Sequence, residues 1–338
     1  MSTLYRTALG MLCLTSLFSL GAHAADPAPE ASPTPDASTA PAPAPTRPPL
    51  LERSQEEAAA LERQVPKAEQ QTLDAGEEHF LALWKPANSG DPKGAVILVP
   101  GAGETPDWPR SVGPLRQKFP DAGWHSLSLS LPDLLADAPQ ARVEPSPAPP
   151  KAAGQDEQAP AKDTPADANA NVAQATAPDA DVAESTDAVD ASDQNDAADA
   201  ARIFARLDAV VAFAQQQNAR TVILLGHGSG AYWAARYMSE KQPAQVAKLV
   251  LVSPQTPARV EHGLDSLVPT LKVPTADLYY ATDEQARRAA AQRLQISQRE
   301  KDSTYRQMLL IALPGNLAVE QEQLFRRIRG WLSPHGAS

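Results

Sequence analysis

The chain has 338 residues, 33 prolines, a single cysteine (Cys13) and a formal net charge of −11, from 30 Lys/Arg against 41 Asp/Glu. No Lys/Arg cluster reads as a footprint for nucleic acid or anionic lipid, which excludes both as expected partners. One cysteine allows no internal disulfide, and no His/Cys/Asp/Glu set has metal-ligand spacing, so neither a metal nor another cofactor is expected.

Residues 1–24 have the layout of a secretory signal: Arg6 as the positive n-region, an apolar run from Ala8 to Leu20, and Ala22-His23-Ala24 as an A-x-A cleavage site. The apolar run of about 13 residues is short of the roughly 20 that span a bilayer, so no stable membrane insertion is expected after cleavage. Cleavage after Ala24 removes Arg6 and Cys13, moving the charge from −11 to −12 and leaving no cysteine. Export with an ordinary apolar core suits a periplasmic or secreted protein.

Residues 25–50 are a Pro/Ala arm, and residues 139–196 are rich in Pro, Ala, Asp, Gln and Asn with almost no large apolar residues. Such stretches cannot bury enough area to offset an ordering entropy of about 1–2 kcal/mol per residue, so both are expected to be disordered. The second interrupts a domain. Closing a loop of about 60 residues costs only about 4 kcal/mol, which a stable domain can carry.

The remainder alternates strand and helix. His79 to Trp84 and Ala95 to Val99 read as strands, followed by the glycine turn Pro100-Gly101-Ala102-Gly103. A helix near 114–119 leads to a period-two strand from Trp124 to Leu131. After the insertion, Ile203, Leu207, Val210, Val211 and Ala214 form one helical stripe behind Asp199 as a candidate cap. Strands follow at Thr221–Leu225, Val246–Val252, Ala276–Tyr280 and Met308–Leu313, and a last helix carries Leu324, Phe325, Ile328, Trp331 and Leu332 on one face. This alternation predicts an α/β fold with a mainly parallel sheet covered by helices on both faces, in two parts, 66–138 and 197–334.

The order of parts resembles the α/β-hydrolase superfamily, within it a group of exported bacterial proteins of no settled function. Val96-Ile97-Leu98-Val99-Pro100-Gly101 resembles the strand and turn that supply part of an oxyanion hole, and Leu225-Gly226-His227-Gly228-Ser229-Gly230 resembles the L-G-H-S-x-G nucleophile elbow. Asp283 falls where the resemblance puts a triad acid. The aligned register places Gly228 at the nucleophile position and Ser229 one step later, where a shift of about 1 Å already costs on the order of 10²-fold. Glycine also suits the elbow for purely structural reasons, since it adopts strained backbone readily and lets a helix pack closely.

A serine hydroxyl needs a base, which in that fold follows the last strand. The segment there, Leu313-Pro314-Gly315-Asn316-Leu317-Ala318, has no histidine. His79 and His125 open strands, His227 precedes the turn, and His262 and His335 are the candidates that a loop could bring back. Asp283 is equally placed to cap the next helix. Trp108, Tyr232 and Trp233 suit either a site wall or core packing. The surviving feature is a set of backbone N–H donors around Gly101, Ala102, Gly103, Gly228 and Gly230 that suits a small acyl or carboxylate ligand.

Three functions stay open. The first is an exported, non-catalytic or weakly active binding or assembly factor of the cell envelope, with a small ligand or an envelope protein as partner. The second is a periplasmic serine esterase or amidase using Ser229 and Asp283. In the third, the unstructured segments carry the role and the domain is their holder.

Overall fold

The computed structural model describes residues 51–135, 183–258, 260, 262–301 and 303–333. The expected signal, the arm, residues 136–182 and His335 lie outside the described residues. Eight strands form one sheet in the order β1-β2-β4-β3-β5-β6-β7-β8. They are β1 (Gln70–Ala75), β2 (Glu78–Lys85), β3 (Ala95–Val99), β4 (His125–Leu129), β5 (Val222–His227), β6 (Val246–Val252), β7 (Thr275–Tyr280) and β8 (Tyr305–Leu310). β2 runs antiparallel to β1 and β4, and every other pairing is parallel. This is the α/β-hydrolase-like architecture that the resemblance implies.

The period of two divides the central strands between two apolar layers. Val96, Leu98, Ile223 and Leu225 face α2 (Val112–Lys118) and α7 (Leu317–Leu332), which contribute Leu115, Leu324, Phe325 and Ile328. Ile97, Val99, Leu224 and Leu249 face α3 (Ala183–Gln216), α4 (Ser229–Glu240) and α5 (Leu264–Thr270), with Ile203, Leu207, Tyr232 and Trp233 on that side. α6 (Glu284–Ser297) packs against α5, β7 and β8. Full burial of each large side chain contributes about 1.5–3 kcal/mol, so these two layers carry the fold.

Four expectations change. The domain starts before residue 66: α1 (Arg53–Glu62) turns Ala58 and Leu61 toward Val65, Leu81 and Leu83. Its N-terminus is tied down by Asp133, which accepts the Ser54 N–H at 3.2 Å. α3 begins at Ala183, inside the stretch 139–196 expected to be disordered. Alanine between the aspartates favours helix, and Asp196 is held by Arg236 at 2.9 Å. Asp199 therefore sits within the helix rather than capping it, and its carboxylate accepts the Leu135 N–H at 2.8 Å. Finally, β8 stops at Leu310 instead of reaching Leu313, because the Gln323 side chain takes both Ile311 N–H and C=O at 2.9 and 3.0 Å.

Candidate active-site turn

β5 delivers the chain to a turn at the carboxyl end of the sheet, where Gly228 has φ +56° and ψ −126° and Ser229 opens α4. This backbone is strained for any residue with a side chain. Three hydrogen bonds fix it: Gly228 N–H donates to Val252 O at 3.0 Å, and Gly228 C=O accepts from Gln255 N–H at 3.0 Å and Ala231 N–H at 3.2 Å. A Cβ placed on Gly228 would have Gly101 Cα, 3.8 Å away, as its nearest neighbour, so the apex has room for a side chain and carries none. Gly230 is different. A Cβ there would lie 2.2 Å from Pro100 O, so α4 lies against the glycine turn only because position 230 is glycine.

The glycine turn is closed on itself. Ala102 N–H donates to Ser229 Oγ at 2.7 Å, and Gly101 N–H donates to Glu104 Oε2 at 2.7 Å. The same Glu104 oxygen meets His227 Nδ1 at 2.8 Å. Three of the donors that suit a ligand oxygen, at Gly101, Ala102 and Gly228, thus serve oxygens of the chain itself. Next to Gly103, Arg53 of α1 bridges to Asp133 at 3.0 Å. Between α1, this turn and Trp233 the remaining space is about 20 Å³, enough for a water molecule.

Asp283 is the N-cap of α6, its Oδ1 accepting Ala286 N–H at 2.9 Å. After β8, Gly315 (φ +82°) turns the chain into Asn316, which caps α7. Glu320 accepts the Leu313 N–H at 2.9 Å. Glu320 also bonds the Tyr280 hydroxyl, whose pKa is pushed up first by burial and then by this bond. The corner where the fold places a base is therefore a proline-glycine turn held by a glutamate.

The structure brings no imidazole into a hydrogen bond with Ser229 among the described residues. His79 is exposed and faces Asp74 at 2.5 Å. His125 is buried at the opposite, amino end of the parallel strands, stacked on Trp84 with ring centroids 4.8 Å apart. His227 lies two residues from Ser229 but is turned to Glu104, and His262 is exposed in the turn before α5. Tyr232 and Trp233 are buried core residues in edge contact, and Trp108 packs on the α2/α7 side. Among the described residues no group of three His, Cys, Asp or Glu side chains is placed to hold a metal.

Glu104 is the participant that the sequence did not single out. Its signal is local: a carboxylate three residues past Gly101, within reach of the turn's N–H groups in the manner of a short side-chain cap. Arg53 and Asp133 had no such signal, since residues 80 apart in the chain meet only through the fold.

The strand order, the left-handed apex after β5 and the glycine turn after β3 define an α/β-hydrolase-like protein. The chain belongs to the DUF3530 family, described as a protein of unknown function, whose model matches residues 9–334. It is similar to three solved structures. An alpha-beta serine hydrolase homologue from Coxiella burnetii has 14% identity and TM-score 0.45, covering 78% of this chain and 99% of that one. Est1E from Butyrivibrio proteoclasticus has 9% identity and TM-score 0.49, with coverage of 78% and 99%. Dienelactone hydrolase from Anabaena variabilis has 13% identity and TM-score 0.47, with coverage of 78% and 97%. No curated protein matches the sequence.

Proposed function

We propose that this protein is an exported, hydrolase-fold factor of the cell envelope that works by binding, without serine hydrolysis or with only a trace of it. The observation that carries this is the chemistry of the elbow. The apex at Gly228 has no nucleophile, and the nearest hydroxyl, Ser229 Oγ, accepts the Ala102 N–H. Loss of the serine or histidine from a working triad costs on the order of 10⁶ in turnover, so a site lacking both functions is left with binding. A small acyl or carboxylate ligand at this turn has to displace Glu104 from Gly101 or Ser229 from Ala102. The signal-like residues 1–24 support export, and the same features suit a periplasmic location.

Treatment of the mature protein with a fluorophosphonate probe tests the loss of serine chemistry. The expected result is no stoichiometric adduct and no turnover across a panel of short acyl esters. Stoichiometric labelling that disappears in Ser229→Ala overturns the proposal and establishes the esterase or amidase alternative.

A further inference from the structure

On the other side of the elbow from the glycine turn, at the carboxyl ends of β6 and β7, lies a cleft of about 460 Å³. That is within the range of roughly 300–1,000 Å³ typical of small-molecule sites. Five uncharged hydrogen-bonding side chains line it: Ser253, Gln255, Thr256, Tyr280 and Gln285. Among the described residues its apolar wall is Pro254, Ala286 and Ala289.

The two charged groups in the lining are already committed. Arg293, buried at 3% exposure, gives its Nε and Nη2 to Asp277 Oδ2 at 2.8 and 2.7 Å. Asp283 is spent on capping α6. Ser253 has φ +46°, a strained conformation for a residue with a Cβ and one that gathers at ligand sites. Its N–H is pinned to Leu278 O at 2.8 Å, so the surrounding strands impose the conformation.

We propose that this cleft binds a neutral saccharide. Gln255 and Gln285 each offer a donor and an acceptor side by side, the pattern that neighbouring sugar hydroxyls match. The Tyr280 hydroxyl is occupied by Glu320, so that residue contributes its ring, an apolar face for the C–H side of a sugar. Arg293 has its countercharge in Asp277, so among the described residues the lining offers no unpaired cation to a phosphate or carboxylate. With no large aliphatic side chain among its described lining residues, the cleft favours a sugar over an acyl chain or a peptide's apolar side chain.

The inference rests on the proposal that the molecule works by binding, not on the fate of Ser229. Fluorophosphonate labelling would overturn the loss of hydrolysis and leave the cleft untouched. The experiment is titration of the folded mature protein with maltose, cellobiose and N,N′-diacetylchitobiose, with galacturonic acid and an alanine tripeptide as charged and peptide controls. Amide-detected NMR and calorimetry are the readouts. At least one neutral disaccharide is expected to bind and to shift the Gln255 and Gln285 side-chain amides. Gln255→Ala and Gln285→Ala should each weaken binding about tenfold. Gln242→Ala, outside the cleft, should leave it unchanged. Absence of binding by all three disaccharides at millimolar concentration, binding of a control alone, or affinity unchanged in both glutamine variants overturns the proposal.

Discussion

The turn after β5 and the corner where β7, α6 and β8 meet lie two strands apart in one sheet, and they satisfy their polar groups in opposite ways. At the turn, backbone donors meet side chains of the chain itself: Glu104, three residues on, takes the Gly101 N–H, and Ser229, brought in by the neighbouring strand, takes the Ala102 N–H. Those bonds lie at the surface where a ligand would enter, and they close it. At the corner the charges are paired below that surface, Asp277 with Arg293 and Tyr305, while Gln307 bonds both the Tyr305 hydroxyl at 2.8 Å and Ala290 O at 2.6 Å. Of the uncharged side chains above, Gln255 and Gln285 are left to face solvent. One sheet end can thus close at the turn after β5 and remain open two strands away.

The largest expected effect comes from breaking the pair that supports the open side. Asp277 is fully buried and burial works against the Arg293 charge, yet Asp277 beside it keeps the guanidinium pKa above its ordinary value. Removing one partner leaves a buried charge alone, so Asp277→Ala should lose about 3–5 kcal/mol of stability in urea or thermal unfolding. A loss below about 1 kcal/mol, as for an exposed pair, would mean that the Asp277–Arg293 pair does not anchor the corner.

Gly228→Ser probes the closed side and should act less strongly. The Cβ has room beside Gly101 Cα, so the cost is that of the strained backbone, about 1–3 kcal/mol, with the fold retained. Restoring a hydroxyl at the apex should not restore turnover, because the turn after β8 supplies Gly315 and Asn316 rather than an imidazole. Measurable ester hydrolysis by this variant, absent from the parent, would show that a base reaches the apex after all.

The central strands and α7 were legible because they are short-range patterns: an unbroken apolar run at Ala95–Val99, one interrupted only by Lys248 at Val246–Val252, and a 3.6-residue stripe from Leu324 to Leu332. The turn itself was legible for the same reason, since Gly228 and Ser229 are neighbours in a recognisable strand-to-helix junction. α1 and β1 were not, because α1 is polar along most of its length and β1 is nowhere fully buried. The end of β8 was set by Gln323, twelve residues away, which no window of local hydropathy contains. The cleft was missed because its walls come from β6, β7 and their following loops, and no single motif names it.

The smallest expected effect separates two histidines that make opposite demands on their ring. His227 Nδ1 faces the Glu104 carboxylate, whereas His125 Nδ1 accepts the Ala87 N–H at 3.0 Å and so must carry no proton there. Burial pushes the His125 imidazole below its ordinary value of 6.5. The unfolded chain therefore takes up this proton before the folded one does, and folding stability must rise with pH across that interval. The contribution is complete above about pH 6.5 and is lost as pH falls through the lower folded value. Thermal midpoints measured between about pH 7.5 and pH 5.5, above the range where most carboxylates titrate, should fall on acidification. His125→Asn keeps an acceptor for Ala87 without a proton to gain, so its midpoint should start lower, for want of the Trp84 stack, and fall less steeply. An equal slope in the variant would transfer the pH dependence to other groups.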